Sequence, residues 1–293
     1  MRITHNMSVS NFLLNINRTR ERIDDLQVQI ASGKRVAKPS DDPYEISSIQ
    51  RLSSLIEHTE QYQQNVGEGN VMLLATENAL DQAHGVLVEI KEILVAATNG
   101  IHQADTFRTF GEQVGQKLNH LIDIANTRFN GKYLFGGTQT LTKPYTLGAT
   151  VTANPAGISG NIQLDIMDGT KQTINISGEE AFQGATILDL IRQIRDTLQS
   201  GSQPTSAQME QLDDAIDHVL EMTGKAGAMV QQLNAVEGQL ERQQLELKQL
   251  LSLKYDTDTA EAIVKLKQQE LALEAALNAG ASILQKSLLD FLR

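Results

Sequence analysis

The sequence predicts a mainly α-helical protein: a long antiparallel helical bundle, or rod, with paired N- and C-terminal helices and a small β-rich inserted domain. Three observations lead there. Apolar residues recur at steps of three and four over two long stretches, one in each half of the chain. The two ends carry heptad seams of their own. Between the long stretches one segment alternates apolar and polar residues instead, which is the period of a strand.

The first element is an N-terminal helix whose seam runs Val9, Phe12, Ile16, Thr19, Ile23, Leu26 and Ile30. It breaks in "ASGKRVAKPSDDPYEIS" (residues 31–47), where Gly33 supplies a helix stop and Pro39 and Pro43 favour an extended turn. The pair Asp41-Asp42 in "KPSDDP" reads as cap and turn, with Ser40 or Asp41 expected to cap a helix starting after Pro43. That helix carries thirteen seam positions: Leu52, Leu55, Thr59, Tyr62, Val66, Gly69, Leu73, Thr76, Leu80, Ala83, Leu87, Ile90 and Leu94, none of them charged. The turn "TNGIHQAD" (residues 98–105) leads into a third helix from Asp105 to about Phe129, with Phe107, Phe110, Val114, Leu118, Leu121 and Ala125 on one face.

Strands are expected from about Leu134 to Gly184. In "NIQLDIMDGTKQTINIS", Ile162, Leu164 and Ile166 alternate, then Ile174 and Ile176, and Asp168-Gly169 between them signals a hairpin. A short helix ("ATILDLIRQIRDTLQ") and the linker "SGSQPTS" follow. The last long helix repeats the seam pattern from Leu212, Ala215, Val219 and Met222 through Leu233 and Leu240 to Leu250, and the C-terminal seam is Leu273, Leu277, Leu284, Leu288 and Phe291. The expected division is residues 1–40 with 256–293 as a terminal-helix domain, 41–138 with 205–255 as the helical rod, and 139–204 as the outer insert. Both connections of the insert leave one end of the bundle, so its removal should leave the rod folded.

Burial of six large side chains on the first terminal seam falls short of the entropy lost in ordering that helix. The terminal helices should therefore be marginal alone and gain stability from further copies. This points to polymerisation, with Phe12, Ile16, Ile23, Leu26, Ile30, Leu277, Leu284, Leu288 and Phe291 as the assembly contacts.

Composition narrows the function. There are 25 Lys+Arg against 36 Asp+Glu, a net charge of -11, so a nucleic acid is not the expected partner. Residues 1–40 are the exception, with seven basic and three acidic side chains. No cysteine is present, which excludes disulfides, thiolate metal sites and cysteine nucleophiles. The N-terminal residues offer no apolar run suited to a signal-peptide core, and no stretch is long enough for membrane insertion. Phosphate loops fail: "ASGKRV" and "FNGKY" lack both the earlier glycine and the following Ser/Thr. Asp165 and Asp168 lack the alternate oxygen ligands of a calcium loop, the six histidines show no ligand spacing, and no GxSxG elbow exists. No catalytic residue, metal or cofactor is expected.

Several stretches then resemble a known family. "RIDDLQVQIASGKRVAKPSDDP" (residues 22–43) resembles the N-terminal signature of the flagellin superfamily, and "VLVEIKEILVAATNG" (residues 86–100) is similar to the segment closing that family's first long helix. "ALNAGASILQKSLLDFLR" (residues 276–293) is similar to its terminal helix. The text "KPSDDPYEIS", "RFNGKYLFGGTQT" and "SLLDFL" is nearer to the hook-associated, hook–filament junction members than to the bulk filament subunits. The resemblance covers about residues 1–138 and 205–293. It implies a structural subunit of the extracellular bacterial flagellum, exported by the type III route without signal-peptide cleavage. Its implied partners are copies of itself, a neighbouring hook-associated protein, flagellin, and an export chaperone on the C-terminal helix. It also implies that Gly33, Lys34, Arg35, Pro39, Asp41, Asp42 and Pro43 form a spoke between the terminal-helix domain and the rod. The alternatives are a flagellin, or a cytosolic coiled-coil adaptor.

Overall fold

The computed structural model describes residues 2–36, 38, 42–100 and 102–291, with side chains described at 7 and, within those ranges, from 9 to 281. Pro39, Ser40 and Asp41 thus lie outside the described residues. The chain is mainly α: α1 (Arg2–Ser32), α2 (Pro43–Thr98), α3 (Ala104–Ala125), α4 (Gly178–Ala181), α5 (Thr186–Gln199), α6 (Ser206–Tyr255) and α7 (Thr259–Phe291). Three antiparallel hairpins lie between α3 and α4, namely β1–β2 (Arg128–Phe129, Lys132–Tyr133), β3–β4 (Tyr145–Leu147, Val151–Ala153) and β5–β6 (Gln163–Met167, Thr170–Thr173). The chain divides into two compact units, Thr59–Arg242 and the remainder.

Within Thr59–Arg242, the α2 seam is buried as its spacing predicts. Val66, Leu73, Leu80, Ala83, Leu87, Ile90 and Leu94 are closed to solvent, as are Leu212, Val219, Ala226 and Leu233 on α6. One large cluster joins α2 and α6 to α3 (Val114, Leu118, Leu121) and to α5 (Ile187, Leu188, Ile191, Ile194, Leu198). Four helices therefore share this core, where three were expected. Glycine explains the fourth. A Cβ at Gly111 of α3 would lie 2.9 Å from Gln199 Cγ and 3.0 Å from the Gln199 backbone nitrogen, and one at Gly115 would meet Arg195 at 3.4 Å. Two glycines one turn apart let α5 approach α3 closely, the small-residue route to tight helix packing.

The third helix stops at Ala125, short of the expected Phe129, because Asn126 turns the chain into β1. Its side-chain amide donates to the Ile122 carbonyl (2.8 Å) and the Tyr145 carbonyl (3.1 Å), and its oxygen accepts from the Tyr145 N–H (3.0 Å). Asn130 and Gly131, both at positive φ, make the β1–β2 turn, the usual chemistry of a two-residue hairpin loop. Hairpin β5–β6 turns at the expected Asp168-Gly169, closing through Met167 and Thr170, with an irregularity in its register between Asp165 and Met167. Its Ile166 and Ile174 pack against Val66 and Leu73 of α2 and Val230, Leu233 and Leu240 of α6. Gly69 occupies a seam position for this reason: a Cβ there would sit 2.8 Å from Ile174 Cγ2.

In the other unit, α1 packs along α7. Ile16 and Ile23 are buried, and Phe12, Leu26 and Ile30 are half-buried, so the α1 seam faces inward as expected. On α7 the inward line is Ala262, Leu266, Leu273, Ala276 and Gly280. Leu277, expected on the seam, is 45 % exposed. The start of α2 also departs from its seam: Leu55 is exposed and Ile56 buried.

A clip between two helix breaks at the base of the terminal pair

The break after α1 and the break between α6 and α7 meet backbone to backbone. Gly33, at φ +69°, ends α1 in the left-handed conformation that glycine adopts without a Cβ penalty. Lys34 and Asp256 then form an isolated antiparallel bridge. The Arg35 N–H donates to the Tyr255 carbonyl at 2.8 Å, and the Thr257 N–H donates to the Gly33 carbonyl at 2.9 Å. Val36, next along the chain, is only 3 % exposed.

Each helix leaving the clip is capped by an aspartate. Asp42 Oδ1 accepts from the N–H groups of Tyr44 and Glu45, both at 3.0 Å, and Pro43 takes the first helical position. The cap of α2 therefore lies later in the chain than the expected Ser40 or Asp41, because a carboxylate directly before Pro43 reaches the free N–H groups of the first turn. Asp258 does the same for α7, accepting from Ala260 at 2.9 Å and Glu261 at 3.1 Å. In each case two orphan donors are satisfied by one oxygen.

The basic residues of the clip turn inward to the chain itself. The Arg35 guanidinium donates to the Lys254 carbonyl (2.9 Å) and stands 3.8 Å from Glu45, whose carboxylate also holds the Lys254 ammonium at 3.1 Å. The Lys34 ammonium lies 4.4 Å above the Tyr255 ring, in cation–π range. Such half-exposed pairs contribute about 0–1 kcal/mol each. The backbone bridge and the caps set the geometry, and the charges tune it.

Of the residues singled out from sequence, the structure brings Gly33, Lys34, Arg35, Asp42 and Pro43 together at the clip. Pro39 and Asp41 lie outside the described residues. Phe12, Ile16, Ile23, Leu26 and Ile30 line the inner side of the terminal pair; Leu277 lies off it. Leu284, Leu288 and Phe291 belong to α7, but their side chains lie outside the described residues. Sequence reasoning missed Glu45, Lys254, Tyr255, Asp256 and Asp258. For Asp258 a signal existed: "DTDTAEA" carries an N-cap residue followed three positions later by Glu261.

The arrangement holds chain segments together. Among the described residues no group of three or more His, Asp or Glu could hold a metal ion, and no helix is long and apolar enough to cross a membrane.

Residues 3–140 match the family described as the bacterial flagellin N-terminal helical region. Flagellin from Bacillus subtilis (strain 168) is 23 % identical over the full length of both chains. A structure described as a flagellar hook-associated protein from Vibrio parahaemolyticus covers 73 % of this chain and 99 % of its own, with a TM-score of 0.66 at 19 % identity. The flagellar junction protein FlgL from Legionella pneumophila covers 73 % of this chain and 100 % of its own, with a TM-score of 0.58 at 15 % identity. The likeness to these two structures is one of fold.

Proposed function

We propose that this chain, whose residues 3–140 belong to the bacterial flagellin N-terminal helical region, is a structural subunit of the flagellum that polymerises at the hook–filament junction. The observation carrying the reading is the match of fold to a hook-associated protein and to a junction protein over essentially their whole lengths. In this reading the paired α1 and α7 are the assembly element. Phe12, Ile16, Ile23, Leu26 and Ile30 hold the pair together from inside. The outward-facing Met7, Leu13, Leu14, Val28, Ile263, Val264, Leu271 and Leu277, each more than 40 % exposed, face neighbouring copies. Leu284, Leu288 and Phe291 extend that contact toward the end of α7. The spoke is the clip, through Gly33, Lys34, Arg35, Asp42 and Pro43.

The partners are then copies of this chain, the adjoining hook-associated protein and flagellin. The chain reaches the cell exterior by flagellar type III export, with a chaperone covering α7 beforehand. The full-length likeness to a flagellin favours a second reading, in which the chain is the bulk filament subunit. Purified chain added to filament-less hooks separates the two. A junction subunit adds a short, self-limited zone that then accepts flagellin. A filament subunit extends without limit. No addition to hooks would overturn both readings and leave the soluble helical adaptor.

A further inference from the structure

We infer that Phe12 and Gly280 form a register lock for the terminal helix pair: an aromatic ring seated directly on a gap in α7 that only glycine leaves. A Cβ built on Gly280 would lie 2.1 Å from Phe12 Cζ and 2.5 Å from Cε1, well inside any allowed contact. Gly280 is buried, and Phe12 is half-buried on the inner line of α1.

Neither propensity nor backbone geometry explains glycine here. Gly280 lies within helix α7, between Ala279 and Ala281, and is not among the residues at positive φ. Alanine would favour the helix at that position. Aliphatic residues recur along α1 at Ile16, Ile23, Leu26 and Ile30, so the α1 side of the seam does not by itself mark one register. A slide of one heptad toward the start of α7 would set the Phe12 ring against Leu273 in place of Gly280, and Ile16 against Gln269. With Phe12 over Gly280, the antiparallel pair also brings Ile16 level with Ala276 and Leu26 level with Leu266. The clip fixes the pair at its base, and the lock fixes it about six turns of α1 further out, at about 3.6 residues per turn. It is a property of the single chain and stands apart from whether that chain assembles.

The test turns on the sign of a glycine-to-alanine change. Gly85 and Gly224 lie in α2 and α6 with nothing near a built Cβ. There, Gly85→Ala and Gly224→Ala should slow local amide hydrogen exchange by about two- to fivefold, the ordinary helix-propensity gain. Gly280→Ala should do the opposite, speeding exchange in α1 and α7 by about fivefold or more as the ring is forced off the seam. Adding Phe12→Ala to Gly280→Ala removes the clash and should slow exchange again relative to Gly280→Ala alone. Exchange that is unchanged or slower in Gly280→Ala overturns the lock, as does a double variant no better protected than Gly280→Ala. Attachment of filaments to hooks, scored separately, bears only on the assembly reading.

Discussion

Asp189 on α5 ties several parts of residues 59–242 together. Its carboxylate accepts from Arg192 Nε at 2.6 Å and Nη2 at 3.2 Å, from Gln193 at 2.9 Å, and from the Val151 N–H of β4 at 3.2 Å. Hydrogen bonding to Arg192 is the largest cause holding its pKa down to about 2, against partial desolvation. A carboxylate depressed in the fold contributes stability above the ordinary carboxylate range, and that contribution is lost as pH falls toward its folded pKa. Asp189→Asn should therefore lower Tm at neutral pH, and the gap to the unaltered chain should narrow between about pH 4 and 2. Thermal melts across that range check it; a gap that stays constant to pH 2 would mean the charge is not what matters. Nearby, burial pushes the Tyr145 phenol up, and its hydroxyl donates to the Gly178 carbonyl at 2.8 Å, a structural contact with no free face for chemistry. None of these side chains was visible from the sequence. Arg192 and Gln193 are local partners three and four positions along α5, but the contacts to Val151 and from Tyr145 to Gly178 join segments tens of residues apart, which periodicity cannot report.

At the level of elements, legibility followed the size of side chains. The α2 seam from Thr59 to Leu94 could be read because large apolar residues recur without a charged interruption, and the structure buries it. The β5–β6 hairpin could be read because Asp168-Gly169 is a chemical signal for its turn. Helix α5 was legible as an element, but its place was not, since that is set by what Gly111 and Gly115 lack. The clip was half seen. Gly33 and the two prolines announce a break, whereas the bridge from Lys34 to Asp256 is backbone pairing and carries no side-chain pattern. The shared core changes one expectation outright. Replacing Leu141–Ser200 by a Gly/Ser linker removes Ile187, Leu188, Ile191, Ile194 and Leu198, all buried against α2, α3 and α6. Each such side chain is worth about 1.5–3 kcal/mol of burial, so their combined loss is comparable to the whole of an ordinary domain's stability, about 5–15 kcal/mol. That chain should lose its cooperative melting transition, whereas the sequence alone suggested that it would survive. Circular dichroism melts decide between the two.

For the molecule as a whole, the question is which apolar face serves the chain and which is left for its neighbours. The α1–α7 pair consumes its inner line within one chain: Ile16 and Ile23 are buried there and Phe12 rests on Gly280. Outward, Leu13, Leu14 and Val28 on α1 and Val264, Leu271 and Leu277 on α7 stay exposed. Exposed apolar side chains are ordinary when scattered; the assembly reading makes these the ones that neighbouring copies cover. Two substitutions should therefore behave differently. Ile16→Asp buries an unpaired charge inside the pair, so hydrogen exchange in α1 and α7 should speed up in the isolated chain. Leu277→Asp changes a side chain already 45 % exposed, so exchange in the isolated chain and melting of residues 59–242 should stay as they are. In a polymer the same substitution forfeits about 1.5–3 kcal/mol of burial at every subunit that covers the leucine and sets a charge in an apolar contact. Cells carrying Leu277→Asp should export the chain yet fail to keep filaments on their hooks, and motility on soft agar should fall with filament attachment. Full swimming with Leu277→Asp would remove the outward face from the assembly, leaving the inner seam and its lock as a device for folding the ends.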